Sequence, residues 1–469
     1  MEETSGLRQS ILAWLEHARR LPAIPQTLTD VALATQPEFD QVINAVVGAA
    51  PRVEHRDLYG KVDGDWLPRW STLIGGSGLG DATRLVAHGA KVPVEEVADS
   101  FVAFCTAPAP PSEDWLLLRA GVPQGTHVPL GPYTLQTFTA DELRQMGPMP
   151  ALHHLRPGAL DLSLLADAPF LHTASPDRQP SRAPRWFGHR GPRAEAAHWR
   201  ALLPLVLWSS EPLRVEAVFD VERGRRFGLK PDDVITTIQT HLDRYGMEED
   251  VEVRETGSFC VTPAELPALK TFCIEVTARI DAVMDGITSD RSLPKKRARR
   301  LERAARHLLR AYQRTYSDFG VWEQEADELH LDYVIAIEAL MISPKDKRGE
   351  EISKNVRTRA SALFLTPGHR KQAQDLVQRA YSARSNYVHG DLLKPPPGRQ
   401  QLEQLRELRL ITRQIILRWL VLTPTNTEDL APLLDTAAAG TDREHIDGTL
   451  RSFFAATPPH DLPSDATPG

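Results

Sequence analysis

LDYVIAIEALM, at residues 331–341, is apolar on nearly every side of a helix. A helix of this kind is buried, so the stretch predicts a central helix that other helices surround. Glu338 interrupts the apolar surface, and a buried carboxylate must be paired with a cation or protonated. Arg384 and Arg359, both later in the chain, are the plausible partners. We expect Glu338 to orient one of these arginines rather than to take part in chemistry.

The sequence on both sides of this stretch also has helical periodicity, and nothing strand-like follows residue 293. The connections between the predicted helices are short. Five helices joined in this way predict an antiparallel bundle over residues 291–425. The predicted helices cover 293–316, 321–342, 349–365, 369–389 and 399–422.

The first 290 residues mix the two kinds of secondary structure. Residues 1–105 are predicted to be mostly helical, and 106–290 to form an α+β domain of unknown role, either sensory or regulatory. Residues 426–469 are small, acidic and Pro-rich, which predicts a partly disordered tail. The predicted fold class is therefore multidomain, an α+β part followed by an all-α bundle. The elements predicted before 290 are helices near 5–20, 38–48, 93–104, 230–245 and 263–284, strands at 115–122, 126–138, 213–222 and 250–261, and a capping box that begins at Thr139.

Composition excludes several classes of protein. The 469 residues include three cysteines at wide spacing and no Cys/His cluster, so we expect neither a structural zinc site nor a disulfide framework. No apolar run reaches the roughly 18–20 residues that a membrane helix needs. The Gly-rich segment 74–81 lacks the lysine of a phosphate-binding loop. We therefore expect a cytoplasmic protein that uses no metal and no cofactor and does not contact a membrane.

The formal net charge is −7, whereas a protein coated for nucleic acid is usually basic. Any contact with RNA must therefore come from a local basic surface. The start of the helix predicted at 293–316 is such a surface, although a plain solvated face is the alternative interpretation. Its candidate RNA-binding residues are Lys295, Lys296, Arg299, Arg300 and Arg303.

Candidate catalytic residues lie in YSARSNYVHGD, at 381–391. Arg384 is on the apolar stripe of its helix, and its forked guanidinium suits a phosphate. His389 stands at the helix end before Gly390, where the helix dipole favours the imidazolium form, and an imidazole can both take and return a proton. An arginine and a histidine five residues apart also occur by chance. The other pair, Arg193 and His198, is read as a solvated or loop-edge pair.

The spacing of Arg384 and His389 has a geometric consequence. Five residues correspond to about 500°, so the two side chains point roughly 140° apart around one helix. A single helix end orients them poorly toward one phosphate. Two copies of the helix would bring the pairs together more easily, which suggests a homodimer.

The order LDYVIAIEALM, ISKNVRTRASALF, YSARSNYVHGD resembles the Apea-like branch of the HEPN superfamily over about 100–130 residues. The resemblance implies a HEPN bundle that dimerises, and a metal-independent endoribonuclease of toxin or antiphage systems. Arg384 and His389 would be catalytic, supported by Glu338, Arg359, and the pair Ser385 and Asn386. Many HEPN nucleases have Asn, Asp or His directly after the arginine, where this chain has Ser385, which the Apea-like branch tolerates.

Under this interpretation the products are a 2′,3′-cyclic phosphate and a 5′-hydroxyl, and the N-terminal part senses a phage or cellular trigger. The alternative is non-enzymatic. A HEPN bundle also serves as an RNA-binding or protein-interaction module that catalyses nothing. Whether the Arg384 and His389 side chains converge in an open basic cleft separates the two interpretations.

Overall fold

The structure, a computed structural model, describes most of the 469-residue chain. The described residues are 2–20, 36–49, 59–62, 65–68, 79–87, 89, 91–106, 112–146, 165–174, 194–211, 213–222, 226–227, 259–289, 291–314, 323–343, 345–346, 350–388, 399–426 and 429–460.

Helices and strands alternate in the first part of the described chain, and only helices follow Cys260 there. The elements up to that point are α1 (Glu2–Arg20), α2 (Pro37–Ala49), β1 (Tyr59–Val62), β2 (Asp65–Pro68), α3 (Leu79–Ala87), α4 (Val94–Thr106), β3 (Ser112–Gly121), β4 (His127–Leu130), β5 (Tyr133–Thr137), α5 (Ala140–Met146), β6 (Pro169–Ala174), α6 (Ala194–Trp208), β7 (Arg214–Glu222), β8 (Arg226–Phe227) and β9 (Phe259–Cys260). The later helices are α7 (Leu266–Met284), α8 (Ser292–Arg314), α9 (Glu323–Met341), α10 (Glu350–Ala362), α11 (Pro367–Val388), α12 (Arg399–Leu422), α13 (Leu430–Ala438) and α14 (Arg443–Ala456), with a 3-10 turn at Asp285–Thr288.

The chain divides into two compact units, and each takes segments from more than one place in the sequence. Unit 1 contains 1–117, 137–190 and 216–253, and unit 2 contains 118–136, 191–215 and 254–469. The domain boundaries predicted at 105, 290 and 425 stay a prediction, and the compact units divide the chain at other points.

In unit 1, α1 packs against α2, α3 and α4 around a buried Trp14. The indole Nε1 of Trp14 donates to Thr83 Oγ1 at 3.0 Å, so the one polar atom of this large side chain is satisfied inside the core. β3 pairs antiparallel with β6, where Leu116 lies opposite Leu171. β7 pairs antiparallel with β8, and β1 with β2.

The capping box predicted at Thr139 is present at the start of α5. Glu142 Oε2 accepts from the backbone N–H of Thr139 at 2.8 Å, and the N–H of Glu142 lies 3.3 Å from Thr139 Oγ1. These contacts satisfy two backbone donors that the first turn of a helix otherwise leaves without partners.

In unit 2, α9 packs against α8, α10, α11 and α12. This helix contains the apolar stretch 331–341, and its Val334, Ile337 and Met341 are buried. The prediction of a central helix is therefore confirmed. Unit 2 also includes an antiparallel β4–β5 hairpin, and β9 pairs in parallel with the end of β3. The helices α6 and α7 pack against α8, and α7 contacts β4.

Much of the predicted tail after residue 425 is helical, and its predicted partial disorder stays a prediction because the last nine residues lie outside the described residues. The helical part forms α13 and α14, which pack on α10 and α12. Ile446, Leu450 and Phe453 are buried at helical spacing, so these helices pack through an apolar face. Residues 461–469, the helix predicted near 230–245 and most of the strand predicted at 250–261 lie outside the described residues.

Candidate functional site

Glu338 and Arg384 meet where α9 packs against α11. Nη1 of Arg384 donates to Oε1 of Glu338 at 2.5 Å. The hydroxyl of Tyr381 donates to the same oxygen at 2.8 Å. Tyr381 and Arg384 are three residues apart and therefore share one face of α11. The predicted pairing of Glu338 with Arg384 is thus present in the structure, with a tyrosine that the sequence analysis did not identify.

The cluster is partly open to solvent. The Arg384 side chain is 30% exposed and that of Glu338 is 16% exposed. Burial raises the pKa of Tyr381, and so do the negative charge of Glu338 and the hydrogen bond to it, so the phenol stays protonated and donates. Nε and Nη2 of Arg384 have no partner among the described residues. The guanidinium therefore keeps donors that an anion could occupy.

The remaining residues of the predicted motif are described less completely. Helix α11 ends at Val388, and His389 lies outside the described residues, as does the side chain of Asn386. Ser385 is exposed. The structure thus places Arg384 and its support, whereas the predicted contact of His389 with the same phosphate stays a prediction.

Arg359 was the alternative partner predicted for Glu338, and the structure places it in other contacts. Its guanidinium is buried and donates to Asp346 Oδ2 at 2.6 Å, to Asp435 Oδ1 at 2.8 Å and to the carbonyl of Met341 at 2.8 Å. Burial on its own would raise the pKa of Asp346, but hydrogen bonds from Arg359, the Ser343 N–H and Asn355 lower it. Arg359 therefore ties α10 to α13 and to the end of α9.

The basic surface predicted on α8 is present, except for one of its residues. Lys295, Lys296, Arg299 and Arg303 are exposed, and none of them has an ion pair within the described parts of the chain. Arg300 differs, because its Nη1 lies 3.0 Å from Asp429 Oδ1 and its side chain is only 15% exposed. We call Lys295, Lys296, Arg299 and Arg303 the basic face of α8.

A cluster that the sequence analysis missed lies at the far end of this helix. Asp332 of α9 has a fully buried side chain, and its Oδ1 lies 2.8 Å from Nδ1 of His307 and 2.8 Å from Nε of Arg310. A signal was available in the sequence. His307 and Arg310 are three residues apart on one face of α8, and Asp332 is a carboxylate in the same apolar stretch as Glu338.

The histidine of the second Arg–His match, His198, is the described member of that pair. His198 is buried, and its Nδ1 lies 2.8 Å from the hydroxyl of Tyr133. Arg193 lies outside the described residues. His198 itself is therefore not solvated, whereas the predicted solvated or loop-edge pair with Arg193 stays a prediction.

Within the described residues, every helix is too short or too polar to cross a bilayer. The same residues contain no group of three or more His, Cys, Asp or Glu side chains placed to share a metal ion. No protein-family model matches the chain, and neither a curated protein nor a solved structure matches it.

Proposed function

We propose that this chain is a metal-independent RNA endonuclease of HEPN type in which Arg384 and His389 carry the chemistry. The observation that supports it most directly is the Arg384–Glu338–Tyr381 cluster. It holds Nη1 of the guanidinium and leaves Nε and Nη2 without a partner among the described residues. An arginine held in this way is pre-oriented for a phosphate.

In the proposed reaction, His389 takes the proton of a ribose 2′-hydroxyl, and the 2′-oxygen attacks the adjacent phosphorus. The bond from phosphorus to the 5′-oxygen breaks, and that oxygen takes a proton from the imidazolium. The products are a 2′,3′-cyclic phosphate and a 5′-hydroxyl. Arg384 stabilises the charge that develops on the non-bridging oxygens.

Glu338 and Tyr381 have a positioning role in this proposal. Tyr381 and Arg384 both donate to Oε1 of Glu338, and neither Tyr381 nor Glu338 needs to touch the substrate. The resemblance to the Apea-like HEPN branch, which rests on three segments that include those of Glu338 and Tyr381, favours this assignment. It also favours a homodimer joined through the bundle, a toxin or antiphage role, and a trigger recognised by the N-terminal part.

The basic face of α8 supports RNA as the substrate. Its four cations are exposed in a protein whose net charge is −7, so they form a local positive surface on an otherwise acidic chain. Such a surface binds a phosphate backbone without regard to sequence. It would favour the alternative, a non-catalytic RNA-binding module, equally well.

The deciding experiment is incubation of the purified full-length chain with end-labelled single-stranded RNA. His389→Ala and Arg384→Ala should each lower the cleavage rate by about 10²–10⁴. The matched control is Arg379→Ala, because Arg379 is on the same helix in an exposed pair with Glu407. Wild-type products should carry cyclic phosphate ends.

Circular dichroism must show that all three variants keep their helices. Cleavage by the His389→Ala variant at the wild-type rate would exclude the assignment. RNA binding without cleavage by the wild type would favour the non-catalytic alternative.

A further inference from the structure

His307, Arg310 and Asp332 form a second cluster that the proposed cleavage chemistry does not use. We propose that His307 and Arg310 bind a phosphate group of the RNA backbone, at the end of the basic face of α8. The inference rests on the proposed function only in taking RNA as the source of that phosphate.

Asp332 holds both donors in place. Its side chain is completely buried and accepts from Arg310 Nε at 2.8 Å through Oδ1 and at 2.9 Å through Oδ2. Nη2 of Arg310 also contacts Oδ1. Burial on its own would raise the pKa of Asp332, but the hydrogen bonds from His307 and Arg310 lower it, so the carboxylate stays ionised. A site ordered before binding loses less entropy when the ligand arrives.

Two nitrogen atoms of the cluster do not contact this carboxylate. A carboxylate only accepts, so its 2.8 Å contact with Nδ1 favours the form of His307 with a proton on that nitrogen. Nε2 of His307 and Nη1 of Arg310 have no partner among the described residues. The Arg310 side chain is 40% exposed and that of His307 is 19% exposed, so a ligand can reach them.

The charges of the cluster suit an anion. In the proposed complex His307 binds the phosphate as an imidazolium, so one imidazolium and one guanidinium face one carboxylate, which leaves a net charge of +1. Nε2–H and Nη1–H would then both donate to phosphate oxygens, and hydrogen bonds between ionised groups are the strong ones.

The cluster continues the basic face of α8. Arg303 precedes His307 by four residues and Arg310 by seven, which places the three on one side of the helix. From Lys296 to Arg310 the helix rises about 21 Å, at 1.5 Å per residue. A nucleic-acid strand that follows the exposed cations would therefore reach the cluster at the end of the stripe.

A purely structural role for the cluster predicts something different. It would require His307 and Arg310 only to satisfy the buried carboxylate, so conservative replacements would alter stability and not affinity. The variants His307→Gln and Arg310→Lys test this, because each keeps a donor for Asp332. His307→Gln removes the imidazole, and Arg310→Lys removes the second guanidinium donor.

The experiment measures fluorescence anisotropy of a labelled single-stranded RNA in the His389→Ala background, so that the RNA stays intact. Each variant should weaken binding about tenfold, the effect of losing one hydrogen bond to a charged group. The matched control is Arg451→Gln, an exposed arginine on α14 in the same unit, and its affinity should equal that of the parent. If His307→Gln fails to fold, Arg310→Lys decides alone.

Calorimetric titration with inorganic phosphate separates the sources of the phosphate. Weaker RNA binding by folded variants supports the inference. Unchanged RNA binding overturns the inference. If the variants then lose binding of inorganic phosphate, the site binds a free anion, and if they keep it, the site binds neither. A wild-type chain that cleaves no RNA, yet binds it through His307 and Arg310, would contradict the nuclease proposal and leave this site intact.

Discussion

Arg384 donates to Glu338 at 2.5 Å, and the two residues are 46 positions apart in the chain. This contact joins α11 to the central helix α9. Its energetic effect is limited by exposure, because 30% of the Arg384 side chain is open to solvent. An ion pair that is partly exposed is screened and contributes less than a fully buried one.

Replacing Glu338 by alanine should lower the free energy of unfolding by about 1–3 kcal/mol, because Tyr381 and Arg384 both lose their acceptor. Urea denaturation measures this. The matched control is Glu351→Ala, an exposed glutamate on α10, which should change stability by less than about 0.5 kcal/mol. Equal effects of the two variants would show that the Glu338 contacts do not stabilise the fold.

Tyr381→Phe tests the hydrogen bond to Glu338 through pH. Folding raises the pKa of Tyr381 above its ordinary value of 10.0, so the folded protein holds this proton more tightly than the unfolded chain. The stabilisation is complete below pH 10 and is lost as pH rises through the folded-state value. Wild type should be more stable than the variant by about 0.5–1.5 kcal/mol at pH 8, and the difference should shrink above pH 10. A difference that stays constant up to pH 11 would contradict the assignment.

Asp346→Asn tests a pKa that folding lowers, the opposite of the shift at Tyr381. The pKa of Asp346 is lowered by folding, so its contribution is present above its ordinary value of 3.8 and is lost as pH falls through the folded-state value. Wild type should therefore lose stability on acidification below about pH 4 more steeply than Asp346→Asn. Thermal melts from pH 2 to 7 measure the slopes. Asp375→Asn, at an exposed position on α11, is the control and should melt like wild type throughout.

Cleavage of RNA should persist in EDTA, since His389 and Arg384 carry the proposed proton transfer and charge stabilisation without a metal. End-labelled RNA on a denaturing gel, with and without EDTA, measures the rate. Loss of cleavage that magnesium or manganese restores would replace the proposed mechanism with a metal-dependent one.

The active form should be a homodimer, because the five-residue spacing of Arg384 and His389 corresponds to roughly 140° around a helix axis and predicts poor convergence on one phosphate within a single chain. Light scattering with and without RNA measures the mass. Tyr387→Glu and Val388→Glu, near the end of α11, should give monomers that do not cleave, whereas Arg379→Glu should not. Full cleavage by a protein that stays monomeric at micromolar concentration would mean that one protomer assembles the site unaided.

Much of the helical part was predictable because helix signals are local. The helix predicted at 399–422 has the same bounds as α12, and that predicted at 293–316 differs from α8 by one or two residues at each end. Apolar periodicity and the Pro-rich turn before Arg399 suffice for this. The helices α13 and α14 were missed because small and acidic residues obscured an apolar face that includes Leu430 and Ile446.

Side-chain partners were predictable only in part. Glu338 is a carboxylate on the apolar surface of its helix, so a cationic partner was expected, and the candidates were two arginines. Of the partners of Arg359, Asp435 was not predictable, because it is 76 residues away and lies in a segment without a clear local signal. The spacing of His307 and Arg310 and the carboxylate of Asp332 in an apolar helix were visible in the sequence, but their contact depends on the packing of α8 on α9, which the sequence does not show.

The hydrogen bonds that Arg359 makes to Asp346 and Asp435 affect how the protein should be prepared. A recombinant fragment spanning 291–425, the natural choice from the sequence, would lack Asp435, which bonds Arg359, and Arg443, which donates to the carbonyl of Ala362 at 2.6 Å. It would also expose the apolar surface that α6 and α7 cover on α8. Such a fragment should aggregate on purification, and its inactivity would be a false negative. Assays of RNA cleavage therefore require the full chain.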